Sequence, residues 1–152
     1  MSSFTKLKCD NDLKQIIKAA FDTELDIGGS WGYTKETSTT ILSSNVPLAQ
    51  FEHMFASMRA YVEMNMTLEK EKRYGSINLN EISRDSIEIE NIFYDKVIYE
   101  IRAINENIYA AFINEYKEGY GKDGFNIEEH FKKRKEVTLK REVTHWFEIS
   151  SI

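Results

Sequence analysis

Apolar residues first recur at helical spacing. Leu13, Ile16, Ile17, Ala20 and Phe21 fall at i, i+3, i+4, i+7 and i+8, which predicts a helix over about residues 11–24 with Asp10 or Asp12 as its cap. Behind Pro47, whose fixed φ and missing N–H suit a first helical turn, Phe51, Met54, Phe55, Met58 and Tyr61 or Val62 repeat at three and four. Ile108, Tyr109, Phe112, Ile113 and Tyr116 give a third helix at about 106–118, bounded by Asn105 and by Gly119 and Gly121. Asn126 followed by Glu129 has capping-box spacing for a short fourth helix through about Arg134.

Elsewhere the period is two. Thr37 to Leu42 is a β-branched run suited to a short strand. Val62, Met64, Met66 and Leu68 alternate with Glu63, Asn65, Thr67 and Glu69, and after Gly75 the rhythm resumes at Ile77 and Leu79, so residues 62–72 and 76–82 read as a hairpin. Ser83-Arg84-Asp85-Ser86 reads as the next turn, followed by alternation through Ile87, Ile89, Val97, Tyr99, Ile101 and Ala103, with Asn91 to Lys96 ambiguous. Val137, Leu139, Val143, Phe147 and Ile149 share one parity, interrupted by Arg141 and His145, which gives a long terminal strand. The expected class is α+β: an antiparallel sheet of about five or six strands packed on one face by three or four helices, its other face wet. Residues 1–152 form one domain on this reading, with 1–9 a loosely ordered arm.

Composition narrows the class further. With 41% apolar and 30% charged residues, 1 Pro and 7 Gly, the 152-residue chain is neither disordered nor low in complexity. A net charge of −5 is the wrong sign for covering phosphates, so no nucleic-acid partner is expected. The one basic run, Lys132 to Lys135, lies among Glu128, Glu129 and Glu136 and reads as a solvated helix end. A lone Cys9 forms no intrachain disulfide, and no long apolar segment occurs. A cytoplasmic protein with no membrane partner is the expectation.

Motifs for chemistry are sparse. Gly119-Tyr120-Gly121-Lys122-Asp123-Gly124 spells a dinucleotide pattern but follows a helix where the fingerprint needs a strand, and no P-loop is present. His53 and His130 lack a second ligand at helical offsets, Cys9 has no local base, and no serine elbow exists. Glu88 with Glu90, and Glu128 with Glu129, lie on predicted polar faces and read as solvated surface carboxylates rather than an acid–base pair. The sequence therefore assigns no catalytic residue, no metal and no cofactor.

Two places stand out as binding candidates. Gly28, Gly29, Trp31, Gly32, Tyr33 and Lys35 combine backbone freedom with flat amphipathic rings; either the rings face a partner, or they turn inward and plug the core. On the terminal strand His145 takes the apolar parity and Trp146 the polar one, so the imidazole points inward, as a satisfied core group or a functional base. The 19 aromatic residues, 2 Trp, 8 Tyr and 9 Phe, exceed what a small core needs and suit an interface. These features favour a small acidic, noncatalytic protein-binding module, an adaptor or immunity-like inhibitor, with homodimerisation as its simplest form. The alternative is a small-ligand binder or enzyme whose pocket, between helices and sheet, is lined by Trp31, Tyr33 and His145.

Overall fold

A computed structural model describes residues 4–9 and 12–152. Asp10, Asn11 and residues 1–3 of the expected arm lie outside them. The chain folds as α+β, with four helices and a five-stranded sheet among the described residues. Helix α1 (Leu13–Phe21) is capped by Asp12, whose carboxylate accepts from the Lys14 amide, and stops earlier than its pattern suggests because Asp22 turns left-handed. The short strands β1 (Ile27–Gly29) and β2 (Thr39–Ile41) follow, then α2 (Leu48–Tyr61). Strand β3 (Tyr74–Ile89) turns tightly into β4 (Ile92–Asn105). Helices α3 (Glu106–Gly119) and α4 (Ile127–Glu136) are inserted before β5 (Leu139–Glu148).

The strand order is β1-β2-β5-β4-β3. Most neighbours are antiparallel, but β2 runs parallel to β5, with Thr39 beside Phe147, so the sheet is mixed rather than purely antiparallel. Residue parity cannot show this, since it gives the face of a strand and not its direction. Along β5 and β4, His145, Phe147, Val97, Tyr99, Ile101 and Ala103 are buried and share the core with Phe51, Phe55, Ala56 and Ala60 of α2, Leu13 and Ile17 of α1, and Trp31. Alternating with them, Lys96, Glu100, Arg102, Lys140 and Glu142 take the opposite parity.

Three sequence expectations fail locally. Residues 62–72 are not a strand: Val62–Met66 continues α2 as a turn of π-helix, closed by the Thr67 amide on the Val62 carbonyl, and Lys70–Lys72 is a 3₁₀ turn. The apparent polar parity misleads because Glu63 and Asn65 are buried core partners rather than solvent-facing residues. Glu63 binds Arg141 and Tyr33, and Asn65 donates to the Tyr74 carbonyl and to Glu106. Ser83-Arg84-Asp85-Ser86 is no turn either but lies within β3, where bulges between Gly75 and Asn78 and between Glu81 and Ser83 break the alternation. The turn comes instead at Glu90 and Asn91, both with positive φ (53° and 66°). The glycine segment, expected to keep its backbone free, contains β1, so Gly28 and Gly29 are strand residues paired with Thr40 and Thr39.

Candidate functional site

The two sequence-derived candidates meet in space. Gly32 has φ +86°, and a Cβ there would run into the His145 ring. The Gly32 carbonyl accepts from the Trp146 amide at 2.8 Å, and its own amide donates to Thr37 O at 2.7 Å. The glycine segment is thereby stitched onto β5. Trp31 is buried, with Nε1 donating to Lys8 O at 3.2 Å, and its ring lies 6.0 Å from Phe55. Phe55 in turn meets the edge of His145 at 5.5 Å. The aromatic rings of this loop thus split: Trp31 plugs the core, whereas Tyr33 is half-buried at its margin. Lys35 sits in the following turn, 4.0 Å from Glu36.

His145 is a core group here. It stacks on Phe147 with centroids 4.0 Å apart and planes 3° from parallel. Thr39 spends its single hydroxyl proton on Ser30 O at 2.7 Å, so the 3.0 Å contact between Thr39 Oγ1 and His145 Nε2 has the imidazole as donor. The tautomer is therefore Nε2–H, leaving the Nδ1 lone pair buried without a hydrogen-bond partner. Burial, and next the charge of Arg59, hold the ring well below its ordinary 6.5, so it is neutral. Trp146, on the opposite face, is half-buried between Tyr94 at 6.0 Å and the Lys96 ammonium at 5.4 Å. Trp31, Tyr33 and His145 accordingly do not line one water-accessible pocket: two of them are shut in, and only Tyr33 borders a crevice.

That crevice, of about 250 Å³, opens between the N-terminal segment, α2 and β5. Phe51, Phe55, Arg59 and Glu63 recur every four residues, so the apolar stripe of α2 delivers two charged side chains inward. Arg59 is 1% exposed. It donates to Trp31 O at 3.2 Å and Thr144 O at 3.0 Å, and its guanidinium lies 4.5 Å from the Tyr33 ring centre. Glu63 accepts from the Tyr33 hydroxyl and from Arg141 at 3.0 Å. Burial, reinforced by the bond to Glu63, keeps Tyr33 a neutral phenol. Leu7 N donates to that same hydroxyl at 3.0 Å and Phe4 packs on Tyr74, so the described part of the N-terminal arm is tied down. Neither Arg59 nor Glu63 was singled out from sequence; the available signal was a charge falling on an apolar helical stripe.

A second polar cluster lies nearer the start of α2. Glu52, also on the inward stripe, is fully buried and bonded to Arg84 at 2.5 Å; Arg84 also reaches Asp95 at 3.2 Å and Glu81 at 2.7 Å. Burial, then the neighbouring Asp95 carboxyl, raises the Glu52 carboxyl to about 8 against the opposing pull of Arg84. These carboxylates are remote in sequence, so no pair spacing announces them.

The inserted helices form a third feature. Of the 14 residues in α3 and 10 in α4, only His130 is buried. Its ring is surrounded by Phe112, Tyr116, Phe125 and Phe131 at 5.1 to 5.8 Å, with Glu115 Oε1 3.4 Å from Nδ1. Ile108, Tyr120, Ile127 and Phe131 remain exposed.

Among the described residues no group of three or more His, Cys, Asp or Glu is placed to hold a metal ion, and no helix is long and apolar enough to cross a membrane. Comparison with protein families, curated proteins and solved structures finds no match.

Proposed function

We propose that this chain is a noncatalytic protein-binding module that docks through the α3–α4 hairpin, its simplest partner being a second copy of itself. The observation carrying this reading is that two helices bury a single side chain between them while Ile127 and Phe131, one turn apart on α4, stay exposed. Isolated helices this short are marginal in water and gain their stability from packing. A partner surface supplies what the sheet does not. Charge on α4 favours self-pairing: its first turn carries Glu128 and Glu129 and its last Lys133, Arg134 and Lys135. Two copies of α4 laid antiparallel across a two-fold axis bring each acidic turn against the other's basic one around the Ile127–Phe131 stripe.

Light scattering over a concentration series tests the reading. The wild type is expected to approach the mass of two chains, and Phe131→Asp to give one chain with an unchanged far-ultraviolet spectrum. A wild type that keeps the mass of one chain up to about 1 mM, a concentration at which only about 4 kcal/mol of association would be needed, overturns self-docking.

A further inference from the structure

We propose that the crevice at Arg59 is a binding site for a small anion, a carboxylate or phosphate group carried by a free small molecule. Arg59 is all but fully buried, yet among the described residues no carboxylate lies within ion-pair distance of it. Its two hydrogen bonds go to neutral carbonyls. A buried guanidinium in that position is costly unless an anion completes it.

The one buried carboxylate nearby is already engaged. Glu63 accepts from Arg141 and from Tyr33 and makes no ion pair with Arg59, so its one negative charge, which also acts on Arg59 from a distance, is shared between two cations. Lys6 adds a third, 5.7 Å from the Tyr33 ring centre, and among the described residues Glu142 is the only other acid at the lining. Three cations against two carboxylates leave the crevice with a surplus of positive charge, on a protein whose net charge is −5. Low local dielectric and a guanidinium fork are the conditions under which a carboxylate or phosphate is bound through charge-assisted hydrogen bonds. Phe4, against which the Arg141 guanidinium lies at 4.5 Å, and Tyr33 give the crevice aromatic walls. At about 250 Å³ the space admits a ligand of roughly eight water volumes, so the fitting class is a small mono- or dianion rather than a nucleotide.

The site is separate from the α3–α4 surface, and its test is run at one fixed protein concentration, so its outcome is independent of self-association. Inorganic phosphate and succinate are titrated calorimetrically into the protein at constant ionic strength in chloride. The wild type is expected to bind at least one of them saturably, one per chain. Arg141→Gln should weaken binding about tenfold, the scale of one charge-assisted hydrogen bond. Lys6→Gln, an exposed change that spares the fold, should weaken it about threefold. Glu63→Gln, which removes the internal competitor while keeping a hydrogen-bonding amide, should tighten it. Opposite responses of Glu63→Gln and Arg141→Gln support the site. Absence of saturable binding in both wild type and Glu63→Gln, or equal affinity in wild type, Lys6→Gln and Arg141→Gln, overturns it.

Discussion

The Arg84 guanidinium lies 2.5 Å from the Glu52 carboxylate, in a place where Glu52 is entirely removed from water. Arg84 also serves Asp95 and Glu81, so one cation faces three acids and Glu52 retains its proton up to about 8. The folded chain holds this proton between 4.5 and 8 while the unfolded chain releases it. The resulting stability is complete below 4.5 and lost as pH rises through 8. His145 acts with the opposite sign: its folded value lies below 6.5, so its stabilisation is present above 6.5 and lost on acidification. The two oppose one another below 6.5, whereas above it Glu52 acts alone. Denaturant unfolding should therefore show the wild type losing about 2 kcal/mol from pH 6.5 to 8, at about 1.4 kcal/mol per unit, and Glu52→Gln nearly flat over that window. A wild type that gains stability over the same range contradicts this assignment.

Gly32 and Gly28 should respond very differently to the same methyl group. At Gly32 alanine meets both the positive φ and the His145 ring, so a loss of about 3 kcal/mol or more is expected, together with disruption of the Trp146 bond. At Gly28 a Cβ finds nothing within 4 Å, and a change within about 1 kcal/mol is expected. Thermal melts of the two variants check the contrast; similar losses would mean that the glycine segment is not seated on β5 as described.

The β3–β4 turn is built with the wrong residue at its first central position. Glu90 holds φ 53°, a conformation that Asn or Gly adopts more readily, and Asn91 follows at 66°. Replacing Glu90-Asn91 by Asn-Gly should raise stability by about 0.5–1 kcal/mol without altering the fold. Lower stability in the double variant would place the turn elsewhere, for example at Ser83 to Ser86.

Hydrogen exchange should divide the chain. Amides of β4, a central strand between β3 and β5, are expected to exchange slowest, and those of α3 and α4 fastest among the regular elements in dilute solution. Raising the protein concentration should slow exchange in α3 and α4 selectively. Protection there equal to β4 at the lowest concentrations would show that the hairpin is stable without a partner.

Helices α1 to α3 and the terminal strand β5 were legible because each repeats its apolar residues at one period, and α4 because Asn126 and Glu129 have capping-box spacing; Asp12, Pro47 and Asn105 mark the other helix starts. The inward aim of His145 was legible in the same way, from parity along β5. What parity could not report is whether a polar residue faces water or a buried partner. Glu63 and Asn65 simulated the wet side of a strand, and Ser83 to Ser86 simulated a turn, because their partners, Arg141, Tyr74, Glu106, Glu52 and Asp95, lie on other elements. The pattern of apolar spacing thus determined the class of fold and most of its elements, since periodicity is a property of the local chain. The parallel seating of β2 on β5, the burial of Trp31 and the burial of Arg59 against neutral carbonyls were decided only by tertiary structure, because each depends on which distant group occupies the facing position.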